Sequence, residues 1–471
     1  MKGGRAHRAY SVVVFVLLAS LDNVAIGLAP PLYGSIGADF GVPEAAVALV
    51  TTITFLLSAV AAVGWAYAGD RGNRKPVLVA GSVLWAAGTA ASGWAPGYGW
   101  FLAAQVLAAI GLGAVGSVGF AVVSDLIAPR RRGLVMSFWG LSQGVGTLAG
   151  TLLGGVLGSA DWRRPFALVA IAGLVATVAY LFTFDIPRGD SEPELAGVDY
   201  DVRIRPDDLP RILGRRTNVW LILQGLPAQA AFGSLVWLPV LFRARAEDQG
   251  YSGATAIVVG SVFATLFQLG GALSILGGLV GDRLQRRTPR GRALVAAAGV
   301  LAAVPLYVAL FFVPMRIDVP DGAGSGAVIG GVLRSVVTEP TVGLSLLTAL
   351  LALALTSANA PNWFALIGDV NPPEHRGAVY SLGNLVNGVG RAAGNYLVGR
   401  AIGTLNAAFP PPLNYAVGLA AFQLFFIPTG VMYWLASRTA PRDIAAVHEL
   451  LLRRRSSSRT AEGAPEEDLA R

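Results

Sequence analysis

Two charged side chains lie inside long apolar stretches of this sequence. Asp22 is the acidic residue placed well inside such a stretch, and Arg391 has a similar position in another stretch near the C-terminus. A carboxylate at the centre of a bilayer costs ~2.5–3.5 kcal/mol on insertion scales, so it persists mainly where it faces a cavity and functions there. Burial also disfavours the charged form of a carboxyl, which lets it bind and release a proton. We predict that Asp22 is a proton-coupling residue; the alternative is a structural carboxylate hydrogen-bonded to helix ends.

Arg391 belongs to a regular stripe of polar residues. The spacings between Asn384, Asn387, Arg391 and Asn395 are three, four and four residues, which place these side chains on one face of a helix. A polar stripe on an otherwise apolar helix predicts the lining of a cavity. The alternative is a seam of hydrogen bonds between packed helices. The sequence leaves open whether Arg391 pairs with Asp22 or with an anionic substrate.

These residues need membrane-spanning helices to hold them. The chain has 471 residues, of which 54% are hydrophobic, and its mean hydropathy is +0.59, a composition typical of a polytopic membrane protein. A spanning helix needs ~20 apolar residues. We predict an all-α membrane protein with twelve transmembrane helices, at residues 10–33, 45–68, 76–95, 97–123, 134–157, 165–184, 218–242, 255–280, 293–313, 342–367, 378–404 and 415–435.

The distribution of Lys and Arg predicts the orientation, because these residues concentrate in cytoplasmic loops. With the N-terminus inside, 28 of the 36 basic residues fall in cytoplasmic segments. Six fall outside (Arg163, Arg164, Arg243, Arg245, Arg316 and Arg334), and Arg391 and Arg400 lie within predicted helix 11. We therefore expect a multi-pass protein of the cell inner membrane or plasma membrane with both termini in the cytoplasm. The formal charge of +8 follows this topology, so no nucleic-acid partner is expected.

Several chemistries are excluded or disfavoured by composition. The chain has no cysteine, and His7, His375 and His448 all lie in polar segments, so no metal site or other cofactor is expected. The two lysines, Lys2 and Lys75, follow no phosphate-loop pattern, which excludes ATP-driven transport by this chain alone. We find no grouping of nucleophile, base and orienting residue, so we predict that the protein is not an enzyme.

An internal repeat divides the chain into two six-helix halves. The turn at residues 69–75 (GDRGNRK) recurs 212 residues later as GDRLQRR at 281–287, and the glycines of predicted helix 5 recur 244 residues later in predicted helix 11. The two offsets differ by 32 residues. We therefore predict 32 extra residues in the second half and place them in an outer loop at about 316–341. The predicted domains are a first half at 1–186, a cytoplasmic linker at 187–217, a second half at 218–436 and a cytoplasmic tail at 437–471. In the tail, Ile444, Val447 and Leu451 predict a short surface helix, followed by disorder from Ser456.

The paired turns resemble the signature loops of the major facilitator superfamily. The glycines from Gly146 to Gly155 are similar to the helix 5 motif of its antiporters, although Thr151 stands where that motif has proline. The resemblance implies two halves that rock between inward-open and outward-open states, with the charged turns acting as gates through Asp70, Arg71, Arg74, Asp282 and Arg283. It also implies that helices 1, 4, 7 and 10 line the path. The candidate substrate-cavity residues on these helices are Asn23, Gln105, Gln224, Asn359 and Asn362, and the polar stripe of helix 11 adds Asn384, Asn387 and Arg391. The alternative for each amide is a packing hydrogen bond.

A narrower resemblance is to the spinster-like branch, which is linked to lysolipids and sphingolipids. Asn73 in the signature turn and Asp22 inside helix 1 carry this resemblance. The Asp-Arg pair of that branch is Asp22-Asn23 here, and the expected arginine and glutamate of helix 4 are Gln105 and Ala114.

We predict a secondary active transporter, a proton-coupled exporter of a hydrophobic or amphiphilic compound, because the expected cavity is otherwise apolar. Its expected partners are the substrate, protons and the lipid bilayer, and the expected state is a monomer. One alternative is a spinster-like lysolipid carrier that need not be driven by protons. Another is a membrane sensor or scaffold without turnover.

Overall fold

All the regular secondary structure among the described residues is helical. A computed structural model describes residues 5–71, 73–119, 129–183 and 209–462. The helices of the first half are α1 (Arg5–Leu28), α2 (Tyr33–Phe40), α3 (Glu44–Arg71), α4 (Arg74–Gly93), α5 (Tyr98–Ala114), α6 (Pro129–Gly158) and α7 (Arg163–Leu181). Those of the second half are α8 (Leu209–Gly214), α9 (Arg216–Leu223), α10 (Gly225–Ser234), α11 (Leu238–Asp248), α12 (Gly253–Gln268), α13 (Ser274–Arg287), α14 (Gly291–Phe312), α15 (Ser325–Thr338), α16 (Pro340–Ser357), α17 (Asn359–Val370), α18 (Pro373–Leu405), α19 (Leu413–Gln423) and α20 (Phe426–Glu462).

These helices account for the twelve predicted spans. Nine helical segments within the described residues are long and apolar enough to cross a membrane. The helix α5 and the segment Gly144–Gly158 of α6 are shorter apolar segments. The 33 residues of α18 are long enough to span, but the polar stripe around Arg391 lowers the hydropathy of this helix. The all-α membrane fold with two six-helix halves is therefore confirmed.

Several spans are broken near their middles, which the sequence analysis did not predict. One predicted span is divided into α9, α10 and α11, and others are divided between α12 and α13 and between α16 and α17. Pro239 lies in the first turn of α11, where a proline costs no backbone hydrogen bond. The break between α12 and α13 contains Gly270 and Gly271, and glycine is a poor helix former.

The repeated glycines have equivalent positions in the two halves. A Cβ atom on Gly146 or Gly150 of α6 would collide with the main-chain oxygen of Ser20 or Val24 in α1. A Cβ atom on Gly390 or Gly394 of α18 would collide in the same way with the oxygen of Leu226 or Ala230 in α10. Only glycine permits this close approach of two helix backbones. The repeat predicted from sequence thus corresponds to matching helix pairs, α1 with α6 and α10 with α18.

The two halves pack against each other along two helix pairs, α3 with α18 and α6 with α12. We name the two ends of the bundle after residues that lie there: the Glu44 end, where α3 begins, and the Asp282 end, where α13 approaches its last residue. The predicted topology places the Glu44 end outside the cell. Described hydrogen bonds between the halves join Glu44 to Arg243 and Tyr415, Asn395 to Ala48 and Thr52, Gln268 to Thr151, and Ser325 to Val156.

Three connecting segments differ from their predictions. The predicted outer loop contains α15, whose Val328, Val332 and Ser335 face the protein. The short helix α8 lies within the predicted linker and buries Ile212. Helix α20 continues to Glu462 without a separate tail helix, so the prediction of disorder from Ser456 is wrong for residues 456–462. Residues 184–208, most of the predicted linker, lie outside the described residues.

Candidate functional site

Asp22 is buried in the C-terminal half of α1, with an exposed fraction of 6%. Its described side-chain partner is the neighbouring Asn23, which donates Nδ2 to Asp22 Oδ1 at 3.0 Å. Helix α1 packs closely on α6 at this height, through the contacts of Gly146 and Gly150. The carboxyl is therefore shielded from water while no cation among the described residues pairs with it.

Arg391 lies on the other half and contacts the first half through an aromatic ring. Its guanidinium carbon lies 4.5 Å from the centre of the Phe55 ring of α3. This is a cation–π contact across the interface between the two halves, which we call the seam. The buried Nε of Arg391 has no hydrogen-bond partner in the described structure. Asp22 and Arg391, both described, do not form an ion pair. Among the described residues, the charge of Arg391 is balanced by neither a carboxylate nor a hydrogen bond to Nε.

The remainder of the polar stripe divides into distinct environments. Asn395 is fully buried and donates Nδ2 to Ala48 O at 2.8 Å and to Thr52 Oγ1 at 2.9 Å, both on α3. Asn387 lies against Gly225, at the break between α9 and α10. Asn384 is exposed. The stripe therefore begins as an exposed surface and ends in hydrogen bonds to α3. The hydrogen-bond interpretation applies to Asn395, and the lining of a cavity by the other members stays a prediction.

Gln105 lines a cavity inside the first half. It donates Nε2 to Ser92 Oγ at 3.0 Å, which joins α5 to α4. The cavity is narrow, about 10 Å³, and lies among α1, α3, α4 and α5. Its lining residues are Ala25, Ile26, Ala29, Thr51, Thr54, Phe55, Thr89, Gln105, Ala108 and Leu112. Gln105 thus faces a small space within one half.

The other predicted amides occupy helix breaks. Gln224 is buried between α9 and α10 and donates Nε2 to Leu221 O at 3.1 Å, whereas its Oε1 has no partner in the described structure. Asn362 donates Nδ2 to Gly277 O at 3.1 Å and to Ala358 O at 2.8 Å, which ties α17 to α13. Asn359 accepts a short hydrogen bond from Tyr433. These contacts hold broken helices together, and Gln224 Oε1 retains an unused acceptor.

The Glu44 end is closed by a charged cluster that the sequence analysis did not predict. Arg243 of α11 forms an ion pair with Glu44 of α3 and approaches Glu247 at 3.4 Å. Tyr415 donates its hydroxyl to Glu44 Oε2 at 3.2 Å. The sequence contained one indication of this cluster. Arg243 is among the few basic residues predicted to lie on the outer side, and an arginine in that position needs an acidic partner. We call the group Glu44, Arg243 and Tyr415 the Glu44 latch.

The charged turn of the second half links helices within that half. Arg292 donates Nη2 to Asp282 Oδ1 at 2.8 Å and also forms an ion pair with Asp369. Gln285 donates Nε2 to Asp369 Oδ2 at 3.2 Å. This network ties α13, α14 and α17 together, with Arg283 exposed beside it. Arg292 is the member that the sequence analysis did not single out.

The first charged turn is described only in part. The side chains of Asp70 and Arg71 lie outside the described residues. Arg74 is half-buried at the first position of α4, and Asn73 caps that helix by accepting from Lys75 N at 3.0 Å. Lys75 in turn donates Nζ to Thr183 O at 2.6 Å. The predicted gating role of Asp70, Arg71 and Arg74 remains a prediction.

The described residues contain no cluster of three acidic or histidine side chains that could hold a metal ion. The site consists of a buried carboxyl on one half, a half-buried arginine on the other, and contacts that join the halves at the Glu44 end. A buried carboxyl can bind or release a proton, and a guanidinium can bind an anion.

Comparison with known proteins agrees with this architecture. The family description of the Major Facilitator Superfamily matches residues 13–395. The sphingosine-1-phosphate transporter SPNS2 of Xenopus tropicalis is 27% identical over 294 residues, covering 59% of this chain and 55% of the relative. Protein spinster of Drosophila melanogaster is 25% identical over 276 residues, covering 57% of this chain and 45% of the relative. The chain spans about half the length of these curated relatives.

The fold is also found in solved structures. A bacterial homologue of the human lysosomal transporter Spinster, in an inward-facing and occupied conformation, superimposes with a TM-score of 0.72 at 21% identity, covering 94% of this chain and 99% of the homologue. The nucleoside transporter NupG superimposes with a TM-score of 0.68 at 10% identity, covering 90% of this chain and 99% of that one. Because the family match extends over most of the sequence, the chain belongs to the Major Facilitator Superfamily, a family of membrane transporters rather than enzymes, and is similar to the spinster proteins within it.

Proposed function

We propose that this transporter moves an amphiphilic or hydrophobic small molecule by alternating access and that protonation of Asp22 drives the cycle. The observation that carries the proposal is the state of Asp22: buried to 6% exposure, with Asn23 as its one described side-chain partner. A carboxylate serving as a structural lock would be bound by helix ends or by a cation. A buried carboxyl without these partners changes its charge state when its access to water changes.

The arrangement of the seam supports alternating access. Arg243 and Asn395 join the second half to Glu44 and Ala48 of the first half, all at the Glu44 end. Alternating access requires that such contacts break as the halves rock and the opposite end closes. Because hydrogen bonds and ion pairs have two discrete arrangements, formed or broken, the latches are suited to a two-state change.

The exposed surfaces of the seam helices favour an amphiphile. Towards the Asp282 end, the exposed side chains Val60 and Val63 on α3 and Leu385 and Val389 on α18 are apolar. Asn384, Asn387 and Arg391 are polar groups on the same part of α18. A substrate path along this surface, apolar except for two amides and one guanidinium, would suit a molecule with a hydrophobic body and a polar or anionic head.

A spinster-like lysolipid carrier that needs no proton gradient is the second candidate. The similarity to spinster proteins and to a sphingosine-1-phosphate transporter favours a single-chain lipid as substrate. The two candidates share the amphiphilic substrate and differ in the role of Asp22.

The deciding experiment is flux in proteoliposomes with and without an imposed pH gradient, using a panel of lysolipids and lipophilic cations. Wild type is compared with Asp22→Asn. We expect gradient-dependent flux in wild type and, in the variant, flux reduced to the level without a gradient, because an amide cannot carry the proton. The panel member that is transported identifies the substrate class.

The matched control is Asp248→Asn, which removes an exposed carboxyl at the end of α11. This variant should retain the gradient dependence of wild type. Flux that is unaffected by both the gradient and Asp22→Asn would reject proton coupling and favour the lysolipid carrier. Absence of flux for every panel member, with folded protein, would instead favour the sensor or scaffold.

A further inference from the structure

Helix α15 is too short to cross a membrane and has no part in the proposed substrate path. Its 14 residues give a length of ~21 Å, whereas the hydrocarbon core of a bilayer is ~30 Å thick. It lies between α14 and α16, which belong to membrane-spanning segments. Helix α15 is therefore a surface element of the second half.

The segment that leads into α15 is tied to the turn between α11 and α12. Gln249 donates Nε2 to Met315 O at 2.8 Å, and Tyr251 donates its hydroxyl to Ile317 O at 2.8 Å. Helix α11, which precedes this turn, also carries Arg243 of the Glu44 latch. These hydrogen bonds therefore hold α15 at the Glu44 end of the bundle.

One face of α15 packs on helices that enter the membrane. Val328 and Val332 are buried on this face, and α15 contacts both α12 and α16. Helix α16 begins at Pro340, two residues beyond the end of α15. A Cβ atom on Gly343 of α16 would lie 3.0 Å from Val336 O of α15. The last turn of α15 thus lies beside the first turn of a membrane-spanning segment, at the level where that segment leaves the bilayer.

Another face of α15 presents apolar side chains that no described part of the chain covers. Leu333 is 47% exposed and Val337 is 86% exposed, and residues four apart lie on the same side of a helix. The adjacent Arg334 is exposed, and its guanidinium has no hydrogen bond or ion pair with a described residue. This face therefore combines two uncovered apolar side chains with one free positive charge.

We propose that this face of α15 is a docking surface for the lipid headgroup layer of the leaflet at the Glu44 end. Leu333 and Val337 insert among the outer parts of the acyl chains, and Arg334 binds lipid phosphates. An amphipathic helix at a membrane surface buries its apolar side ~5–10 Å into the boundary between headgroups and acyl chains and keeps its arginines at the headgroups. The surface continues the lipid-facing surfaces of α12 and α16, and a guanidinium matches a phosphate in charge and geometry. This interaction is independent of Asp22 and of the substrate.

The test measures the membrane depth of single spin labels on the full-length protein in vesicles of phosphatidylcholine and phosphatidylglycerol. The native chain has no cysteine, so one label at a time is attached at Leu333→Cys, Arg334→Cys or Val337→Cys. Power saturation compares collisions of the label with oxygen, which concentrates in lipid, and with a water-soluble nickel chelate. The ratio of oxygen to nickel collisions should be severalfold higher at positions 333 and 337 than in water. Position 334 should give an intermediate ratio, because it lies at the level of the phosphates.

Two labelled controls define the ends of the scale. Asp248→Cys labels an exposed position at the end of α11 and reports water, whereas Leu347→Cys labels a position on α16 that is 53% exposed and reports lipid. Ratios at 333 and 337 equal to that of Asp248→Cys would overturn the proposal, because the face would then lie in water. Low collision rates with both reagents would also overturn it, because the face would then be covered by protein, such as a second copy of the chain. A ratio at 334 equal to that of either control would reject the contact of Arg334 with the phosphates.

Discussion

Asn395 donates its side-chain Nδ2 to the main-chain oxygen of Ala48 at 2.8 Å and thereby joins the second half of the molecule to the first. The same nitrogen lies 2.9 Å from Thr52 Oγ1. The main-chain oxygen of Asn395 accepts from Trp237 Nε1 at 3.2 Å, so the residue is held on the second-half side as well. Because Asn395 is fully buried, its bonds to α3 can break only when the halves separate at the Glu44 end.

We expect Asn395→Leu to shift the conformational equilibrium towards opening at the Glu44 end. The substitution removes two hydrogen bonds of about 1 kcal/mol each and favours the open state by roughly thirtyfold. The native chain has no cysteine, so spin labels can be placed at Trp94→Cys and Asp248→Cys, two exposed positions in different halves. The distance distribution between them should broaden to longer distances. Asn218→Leu, which breaks a buried amide pair with Asn371 inside the second half, should leave the distribution unchanged; a similar shift in both variants would contradict the prediction.

Weakening the Glu44 latch should likewise favour opening at the Glu44 end. Glu44→Gln replaces the ion pair with Arg243 by a neutral contact and should favour opening by about 2 kcal/mol, since both side chains are largely buried. Glu247 is more exposed and lies 3.4 Å from Arg243, so Glu247→Gln should change the equilibrium by less than ~1 kcal/mol. The spin-label pair described above measures both effects.

A double-mutant cycle checks that the effect of Glu44 acts through Arg243. Once Arg243→Gln has removed the cation, Glu44→Gln should have little further effect on the distance distribution. Additive effects of the two substitutions would show that Glu44 contributes through some other contact, such as its hydrogen bond from Tyr415.

Arg292 should contribute more to the stability of the second half than Arg283, the arginine of the charged turn beside it. Arg292→Gln leaves Asp282 and Asp369 without their shared cation, and we expect a loss of about 2–3 kcal/mol and a Tm lower by several degrees. Arg283→Gln alters an exposed side chain and should change the Tm little. Equal Tm values for the two variants would refute a structural role for the Arg292 network.

The features that follow from repetition and periodicity could be predicted from the sequence. Repeated glycines identified α6 and α18 as equivalents, and the structure places both against matching helices because close approach requires glycine on one side. The spacing of Asn384, Asn387, Arg391 and Asn395 correctly predicted a shared helix face. These properties belong to a single helix or are repeated within the chain. They can therefore be predicted without knowing which helices pack against one another.

The features that depend on neighbouring helices could not be predicted. Spacing indicates that Arg391 and Asn395 share a face but not that this face meets Phe55 and Ala48 of α3. The similar depths of Asp22 and Arg391 suggested a possible pair, yet depth leaves the rotation of each helix undetermined. Gln105 was assigned to a substrate path by resemblance, whereas its contact with Ser92 depends on the packing of α4 against α5. The Glu44 latch joins residues that are 199 apart in sequence, beyond the reach of any local pattern.

The contact of Arg391 with Phe55 makes a quantitative prediction about the seam. Desolvated cation–π contacts contribute about 2 kcal/mol, so Phe55→Leu should lower the free energy of unfolding by about that amount more in wild type than in an Arg391→Met background. Chemical unfolding of the four proteins in detergent gives this coupling energy. Phe55→Tyr, which keeps the ring, should preserve it. The contact of Arg438 with Trp434, at 3.7 Å but between exposed side chains, provides the comparison and should give a coupling of about 0.5–1 kcal/mol. If Phe55→Leu and Arg391→Met have additive effects on the free energy of unfolding, the ring only fills space. The charge of Arg391 is then balanced by another group, and Asp22 is the first to test.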